Sequence, residues 1–279
     1  MNKDNKFLLK CIVLLPLIAC ASKLPGQGSE SECITRKAHN GIYVIAHRGA
    51  HHGIPENTLP AYQKAIDLGC DFVEIDVRTT KDGKFVSIHD SKIDDYVPGK
   101  KGKVNEMTLD ELRALDIGIR KGPEWKGTKI PSFEEILELC HGKIGIYLDL
   151  KSAPVNQLVE IIKKYGMEND VIWYISASDS KNLDDLKVNC PKCLLMPDPG
   201  AKNNIKAVKE KFNSCILATD MKQLSGEFVK TAHENNIRVI SDDKEANKDE
   251  WKKMIEWKID GIQTDKPEKL IEFLKKTEH

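Results

Sequence analysis

The chain has 279 residues, 40% of them hydrophobic, enough for one large α/β domain with a substantial core. Lys plus Arg and Asp plus Glu both number 43, so the formal net charge is zero. No long basic run or stripe suits a nucleic-acid backbone, and nucleic acid is not an expected partner.

At the amino terminus, Lys3, Lys6 and Lys10 precede the apolar stretch Cys11 to Ala19, which is too short to span a bilayer as a mature helix. This is the layout of a signal peptide. It closes on Leu17-Ile18-Ala19-Cys20, similar to the bacterial lipobox, in which the Cys thiol is acylated and becomes the new amino terminus; plain cleavage after Ala21 is the alternative. Residues 1–20 are therefore expected to be a lipoprotein-type signal, residues 21–40 a polar tether and residues 41–279 the folded body. The expected location is outside the cytoplasm of a bacterium, periplasmic or on the cell surface, with a membrane anchor at Cys20.

From Tyr43 onward, short apolar runs recur: "YVIAH", "FVEIDV" from Phe72, "FVSIH" from Phe85, "IGIYLDL" from Ile144, "VIWYIS" from Val171, "CLLM" from Cys193, "CILAT" from Cys215, "RVIS" from Arg238 and "GIQT" from Gly261. Helical patterns separate most of them, among them Leu59 to Leu68, Val155 to Tyr165 and Phe228 to Asn235. Repeated βα units predict a parallel sheet, and a series this long predicts a (β/α)8 barrel, with an open doubly wound sheet as the alternative. One connection, "RTTKDGK", is too short for a helical crossover, and its Asp82-Gly83 pair predicts a two-residue hairpin turn. That turn pairs Lys81 with Lys84 and sets Asp76 opposite His89, so that Glu74, Asp76 and His89 share a face. Residues 91–142 hold no clear strand and one helical stretch near Thr108 to Asp116; they are expected to form a small insertion over the barrel mouth.

Six Cys remain after Cys11 and Cys20. Cys190-Pro-Lys-Cys193 has no second pair at zinc-finger spacing, which leaves a local disulfide or two free thiols.

The chemistry concentrates at strand ends. Glu74 and Asp76 alternate with Val73, Ile75 and Val77; inside a parallel barrel two such carboxylates lose hydration and repel unless a cation neutralises them. Asp149, between Leu148 and Leu150, repeats the device. Three acids without matching Cys form an oxygen-donor site, hence Mg²⁺ or Ca²⁺. His47 and Arg48 follow directly on a strand, and the planar Arg fork matches phosphate oxygens. Together they point to phosphate-ester chemistry. His51 and His52 lie in the loop beyond Gly49 and are expected to be mostly solvated, and His233 is expected in packing or at the surface.

Taken in order, His47-Arg48-Gly49, Pro55-Glu56-Asn57-Thr58, "GCDFVEIDVRTTKDGKFVSIHD" from Gly69, Asp149-Leu150-Lys151 and "DGIQTDKP" from Asp260 resemble the glycerophosphodiester phosphodiesterases. The resemblance implies a (β/α)8 barrel that uses a divalent metal to hydrolyse glycerophosphodiesters to glycerol 3-phosphate and an alcohol, by way of a cyclic phosphate. It carries the catalytic histidine pair onto His47 and His89 and the metal ligands onto Glu74, Asp76 and Asp149. Arg48, Lys151, Glu56 and Asn57 correspond to phosphate- and substrate-binding positions. Asp149 stands where many members have Glu. After His89-Asp90 the chain reads Ile93-Asp94-Asp95-Tyr96-Val97 in place of the family's usual Arg-Thr pair, and "RVISDD" replaces another common block, so the walls around the leaving alcohol depart from the pattern. The alternatives are a phospholipase-type enzyme acting on lyso-phospholipid or inositol phosphodiesters, and a surface lipoprotein that binds phosphodiesters without turning them over.

Overall fold

The computed structural model describes residues 33–243 and 247–277. The expected signal and lipid site, and the tether as far as residue 32, lie outside these residues. Among the described residues the strands are β1 (Tyr43–Ala46), β2 (Phe72–Thr79), β3 (Phe85–Ser87), β4 (Gly145–Ser152), β5 (Val171–Ser176), β6 (Leu194–Asp198), β7 (Ile216–Asp220), β8 (Arg238–Asp243) and β9 (Gly261–Thr264). The helices are α1 (Leu59–Leu68), α2 (Leu109–Arg113), α3 (Phe133–Cys140), α4 (Val155–Lys164), α5 (Ser180–Asn189), α6 (Ile205–Phe212), α7 (Gly226–Glu234), α8 (Lys248–Glu256) and α9 (Pro267–Thr277). None is long and apolar enough to cross a membrane.

Eight parallel strands follow the order β6-β5-β4-β2-β1-β9-β8-β7, and β6 packs beside β7, so the barrel is nearly closed. At that seam the Ser214 hydroxyl donates to Leu195 O and Ile216 O. Period-two alternation sends one face of each strand inward. Tyr43, Ile45, Phe72, Tyr147, Ile172, Met196, Ile216, Ala218 and Ile240 fill the interior, while Val73, Ile75 and Val77 of β2 join the helices in the outer core. On β2 the inward set that begins with Phe72 continues to Glu74 and Asp76. On β4, Tyr147 is paired with Glu74, and Asp149 with Asp76. Apolar layers therefore fill the base and carboxylates the mouth.

The hairpin differs from its expected register. β3 pairs Val77 with Ser87 and Thr79 with Phe85, and Thr80 N–H donates to Lys84 O. The turn thus has three residues, Lys81-Asp82-Gly83, with Gly83 at φ 73°. Asp76 O consequently accepts from Ile88 N–H, and Asp76 does not oppose His89. His89 reaches the mouth because β3 ends at Ser87 and the chain then leaves the strand.

Two expected boundaries also move. Residues 33–40, read as tether, are packed onto the barrel: Cys33 forms a disulfide with Cys215, Arg36 pairs with Asp170 at 3.3 Å, and His39 meets Asp71 through N and Nδ1 at 3.0 and 2.6 Å. Ile34 is buried with the interior residues. Asp71, Asp170 and Cys215 directly precede β2, β5 and β7 or stand within one residue of them, so this segment caps the amino-terminal end of the barrel. The insertion, expected over 91–142, has its own apolar cluster of Val86, Ile88, Ile93, Tyr96, Leu112 and Ile130 with their neighbours. It stops short of α3, whose Phe133, Ile136, Leu137 and Cys140 belong to the main core. Cys190 and Cys193 form the local disulfide, and Cys70 and Cys140 are free and buried.

Candidate active site

The exit from β1 is sharply bent. Arg48 and Gly49 both take positive φ, 52° and 83°, and a Cβ on Gly49 would lie 2.7 to 2.9 Å from Ala61, so only glycine allows α1 to approach this turn. The bend aims the Arg48 N–H at Glu74 Oε2, 2.7 Å away.

Glu74, Asp76 and Asp149 each offer an oxygen within 4.8 Å of the others'. Glu74 and Asp76 are both 1% exposed. Burial, with the Asp76 and Asp149 charges, pushes Glu74 well above the usual carboxylate range, against the Arg48 N–H and guanidinium. Burial likewise raises Asp149, with Lys151 opposing and Asp76 adding. Like charges in a dry place favour the protonated form, which is the electrostatic condition a cation relieves. The donor set fits such an ion: all oxygen, converging, with Asp76 Oδ1 buried and without a hydrogen bond.

Two side-chain cations stand against the triad. Lys151 Nζ lies 2.7 Å from Asp149 Oδ2 and 3.3 Å from Asp76 Oδ1. Arg48 Nε is 3.5 Å from Asp76 Oδ2, and its Nη1 donates to Glu56 Oε1 at 3.0 Å. Burial draws both pKa values down, but Asp76, Glu56 and Glu74 outweigh it at Arg48, and Asp149 and Asp76 at Lys151, so both rise. Glu56 thus orients Arg48. Asn57, grouped by sequence with the substrate-binding positions, is 1% exposed. Its Nδ2 donates to Asp76 Oδ2 at 2.7 Å, and its Oδ1 accepts from Tyr62 and Ser87, both at 2.9 Å. Asn57 therefore positions a carboxylate from behind.

The two histidines come to the same mouth by different routes. His47 is 7% exposed; its Nε2 faces Glu74 Oε2 at 4.0 Å and its Nδ1 lies 2.5 Å from Asp265 Oδ1. His89 is half-buried, with Nδ1 2.7 Å from Asp90 Oδ1 and its carbonyl accepting from Arg78 Nε and Nη2. A positive charge on this ring draws the Asp149 carboxyl down. Asp90 N–H donates to the Tyr96 hydroxyl, which ties the insertion to this turn. All nine residues singled out from the sequence, His47, Arg48, Glu56, Asn57, Glu74, Asp76, His89, Asp149 and Lys151, gather at the carboxyl ends of β1, β2 and β4 and the loops beside them.

Sequence reasoning missed Asp90, Asp265, Tyr62 and Ser87. The signal for Asp265 is in the strand order: β9 lies beside β1, with Thr264 paired to Ala46, so the next residue of each strand meets across the gap. His51 is not solvated as expected; its side chain is 14% exposed and Nδ1 lies 2.8 Å from His47 O. His52 is exposed, and His233 meets Asp260 at 2.8 Å, away from the mouth.

Comparison with known proteins places these features in context. Residues 47–269 match the model of the glycerophosphoryl diester phosphodiesterase family. A glycerophosphodiester phosphodiesterase of Caldanaerobacter subterraneus is 34% identical over 242 residues, 84% of this chain and 98% of that protein. A phosphodiesterase of Oleispira antarctica, solved in complex with the product sn-glycerol-3-phosphate, superposes with a TM-score of 0.76 at 25% identity, covering 84% of this chain and 96% of the other. The glycerophosphodiester phosphodiesterase of Agrobacterium tumefaciens shares the fold, with a TM-score of 0.75 at 23% identity, over 84% and 99% of the two chains.

Proposed function

The chain belongs to the glycerophosphoryl diester phosphodiesterase family and is a phosphoric diester hydrolase of that class, and from this premise we propose a metal-dependent reaction driven by His47 and His89. The observation that carries the proposal is the Glu74-Asp76-Asp149 triad, two members buried and one half-buried, whose oxygens lie within 4.8 Å of one another, with His47 Nε2 4.0 Å from Glu74. Glu74, Asp76 and Asp149 would hold Mg²⁺ or Ca²⁺, which would supply Lewis-acid polarisation of a phosphoryl oxygen. Arg48, braced by Glu56, would bind the phosphate through its planar fork, and Lys151, whose Nζ stands beside Asp149 and Asp76, would neutralise the charge that develops on the phosphoryl oxygens. Asn57 holds Asp76 at its working angle.

His47 and His89 each have Nδ1 against a carboxylate, which leaves Nε2 of each ring to exchange protons. One ring takes the proton of the attacking hydroxyl and the other returns one to the departing alcohol, a division of labour worth about 10²–10⁴-fold in rate for each group. The substrate is a glycerophosphodiester, supported by the product seen in the Oleispira antarctica relative.

The chain acts outside the cytoplasm of a bacterium, held at a membrane by a lipid on Cys20. Two disulfides, Cys33–Cys215 and Cys190–Cys193, support an oxidising compartment. The mass of the amino-terminal peptide of the membrane-extracted protein tests the anchor: a diacylated Cys20 is expected, and an unmodified Ala21 or Ser22 terminus overturns it.

The activity test uses the chain from residue 21 onward and a panel of glycerophosphodiesters. Release of glycerol 3-phosphate should stop with chelator and return with Mg²⁺ or Ca²⁺. Release that continues in chelator removes the metal from the mechanism; no release from any member, with cation present and the protein folded, removes the substrate class.

A further inference from the structure

We infer that Asp265 is a positioning residue for His47, fixing which nitrogen of that ring works; the inference rests on the acid–base role proposed for His47 above. The fold brings the pair together by construction. Ala46 is paired with Thr264 across β1 and β9, His47 N–H donates to Thr264 O, and His47 and Asp265 are the next residues of the two strands, 218 positions apart in sequence. Their side chains meet at 2.5 Å, Nδ1 to Oδ1.

An ionised carboxylate has no proton to give, so the hydrogen between them belongs to Nδ1. The neutral ring then carries its lone pair on Nε2, the nitrogen that faces the acidic triad, 4.0 Å from Glu74 Oε2. Asp265 is itself kept ionised. Burial opposes this, but the hydrogen bond from His47 and the Arg48 guanidinium are among the groups that outweigh it and hold Asp265 below the usual carboxylate range.

His51 completes the mount. Its Nδ1 lies 2.8 Å from His47 O and 3.2 Å from Gly49 O; both partners are acceptors, so Nδ1 is the donor. Its Nε2 stands 3.9 Å from Asp265 Oδ1. Asp265 thus has two imidazoles beside it, His47 hydrogen-bonded to it and His51 outside hydrogen-bond distance. His89 has a simpler arrangement, its carboxylate coming from the adjacent Asp90, and it is more exposed.

The test compares Asp265→Asn, Asp265→Glu, His47→Ala and the double variant His47→Ala/Asp265→Asn in the cation-loaded protein, with kcat, KM, melting temperature and the ¹⁵N shifts of the His47 ring as readouts. Asp265→Asn should lower kcat by about 100-fold or more, leave KM and melting temperature near their wild-type values, and move the His47 proton from Nδ1 to Nε2. Asp265→Glu should recover part of kcat, and Asp265→Asn should cost nothing further in the His47→Ala background. A kcat for Asp265→Asn within threefold of wild type, an unchanged His47 tautomer, or an equal loss in the His47→Ala background overturns the inference. If His47→Ala alone keeps normal turnover, it is the proposed role of His47 that fails, and Asp265 has nothing to position.

Discussion

The two ends of the barrel are built on opposite terms. At the amino-terminal end, apolar interior residues, a docked segment from Cys33 to Asn40, a disulfide, the Arg36–Asp170 ion pair and the His39–Asp71 hydrogen bonds close the structure. At the carboxyl end, Glu74 and Asp76 are buried side by side, and Arg48 and Lys151 compensate them only in part. Burial of like charges there works against folding, and packing at the base offsets it. One end holds the fold and the other holds the chemistry, as expected for a barrel whose loops carry its site.

Substitutions should separate the two ends cleanly. His47→Ala or His89→Ala should lower kcat/KM by about 10²–10⁴-fold with little change in melting temperature. A large melting shift with modest loss of activity would place these residues with the base. The reverse should hold for Cys33→Ser. Opening a cross-link between residues 182 positions apart should cost on the order of 2–5 kcal/mol of stability, read as a lower melting temperature. Turnover per folded molecule should stay at its wild-type level, and a loss of kcat at temperatures where the variant is folded would join the two ends mechanically.

Asn57→Ala touches both terms more mildly. It removes a hydrogen bond to Asp76 from a buried network with Tyr62 and Ser87. Cation affinity should weaken about 10–100-fold while saturating cation restores most of kcat. If affinity is unchanged and kcat falls, Asn57 acts on substrate instead.

Much of this was legible in the sequence because strand ends announce themselves. An acid between two apolar residues in "FVEIDV" and "YLDL" marks an inward carboxylate, and the βα repeat fixes which end of the barrel it occupies. The hairpin register was not legible from Asp82-Gly83 alone. Lys81 N–H donates to Met107 O, and Asp82 Oδ1 accepts from Leu109 N–H at the start of α2. The insertion thus holds the turn open by one residue, and no local rule contains that contact. The docking of residues 33–40 was hidden for a similar reason. Their composition is polar, but Cys33, Arg36 and His39 find partners at Cys215, Asp170 and Asp71, far along the chain. Asp265 stood in a block already recognised as distinctive, yet only the β1–β9 pairing gives it His47 as a neighbour.

The most direct test of the mouth as a cation-dependent centre is a calorimetric titration of Mg²⁺ and of Ca²⁺ into the folded protein at two pH values, in buffers of different ionisation heat. Glu74 and Asp149 have folded pKa values raised above the ordinary carboxylate range. The metal-free fold therefore keeps protons that the unfolded chain has lost, and it is destabilised as pH climbs toward those raised values. A cation competes with the same protons. Binding should release protons, tighten as pH rises and disappear in Glu74→Gln/Asp149→Asn. A folded, active protein that binds neither ion at millimolar concentration, at either pH, would contradict it.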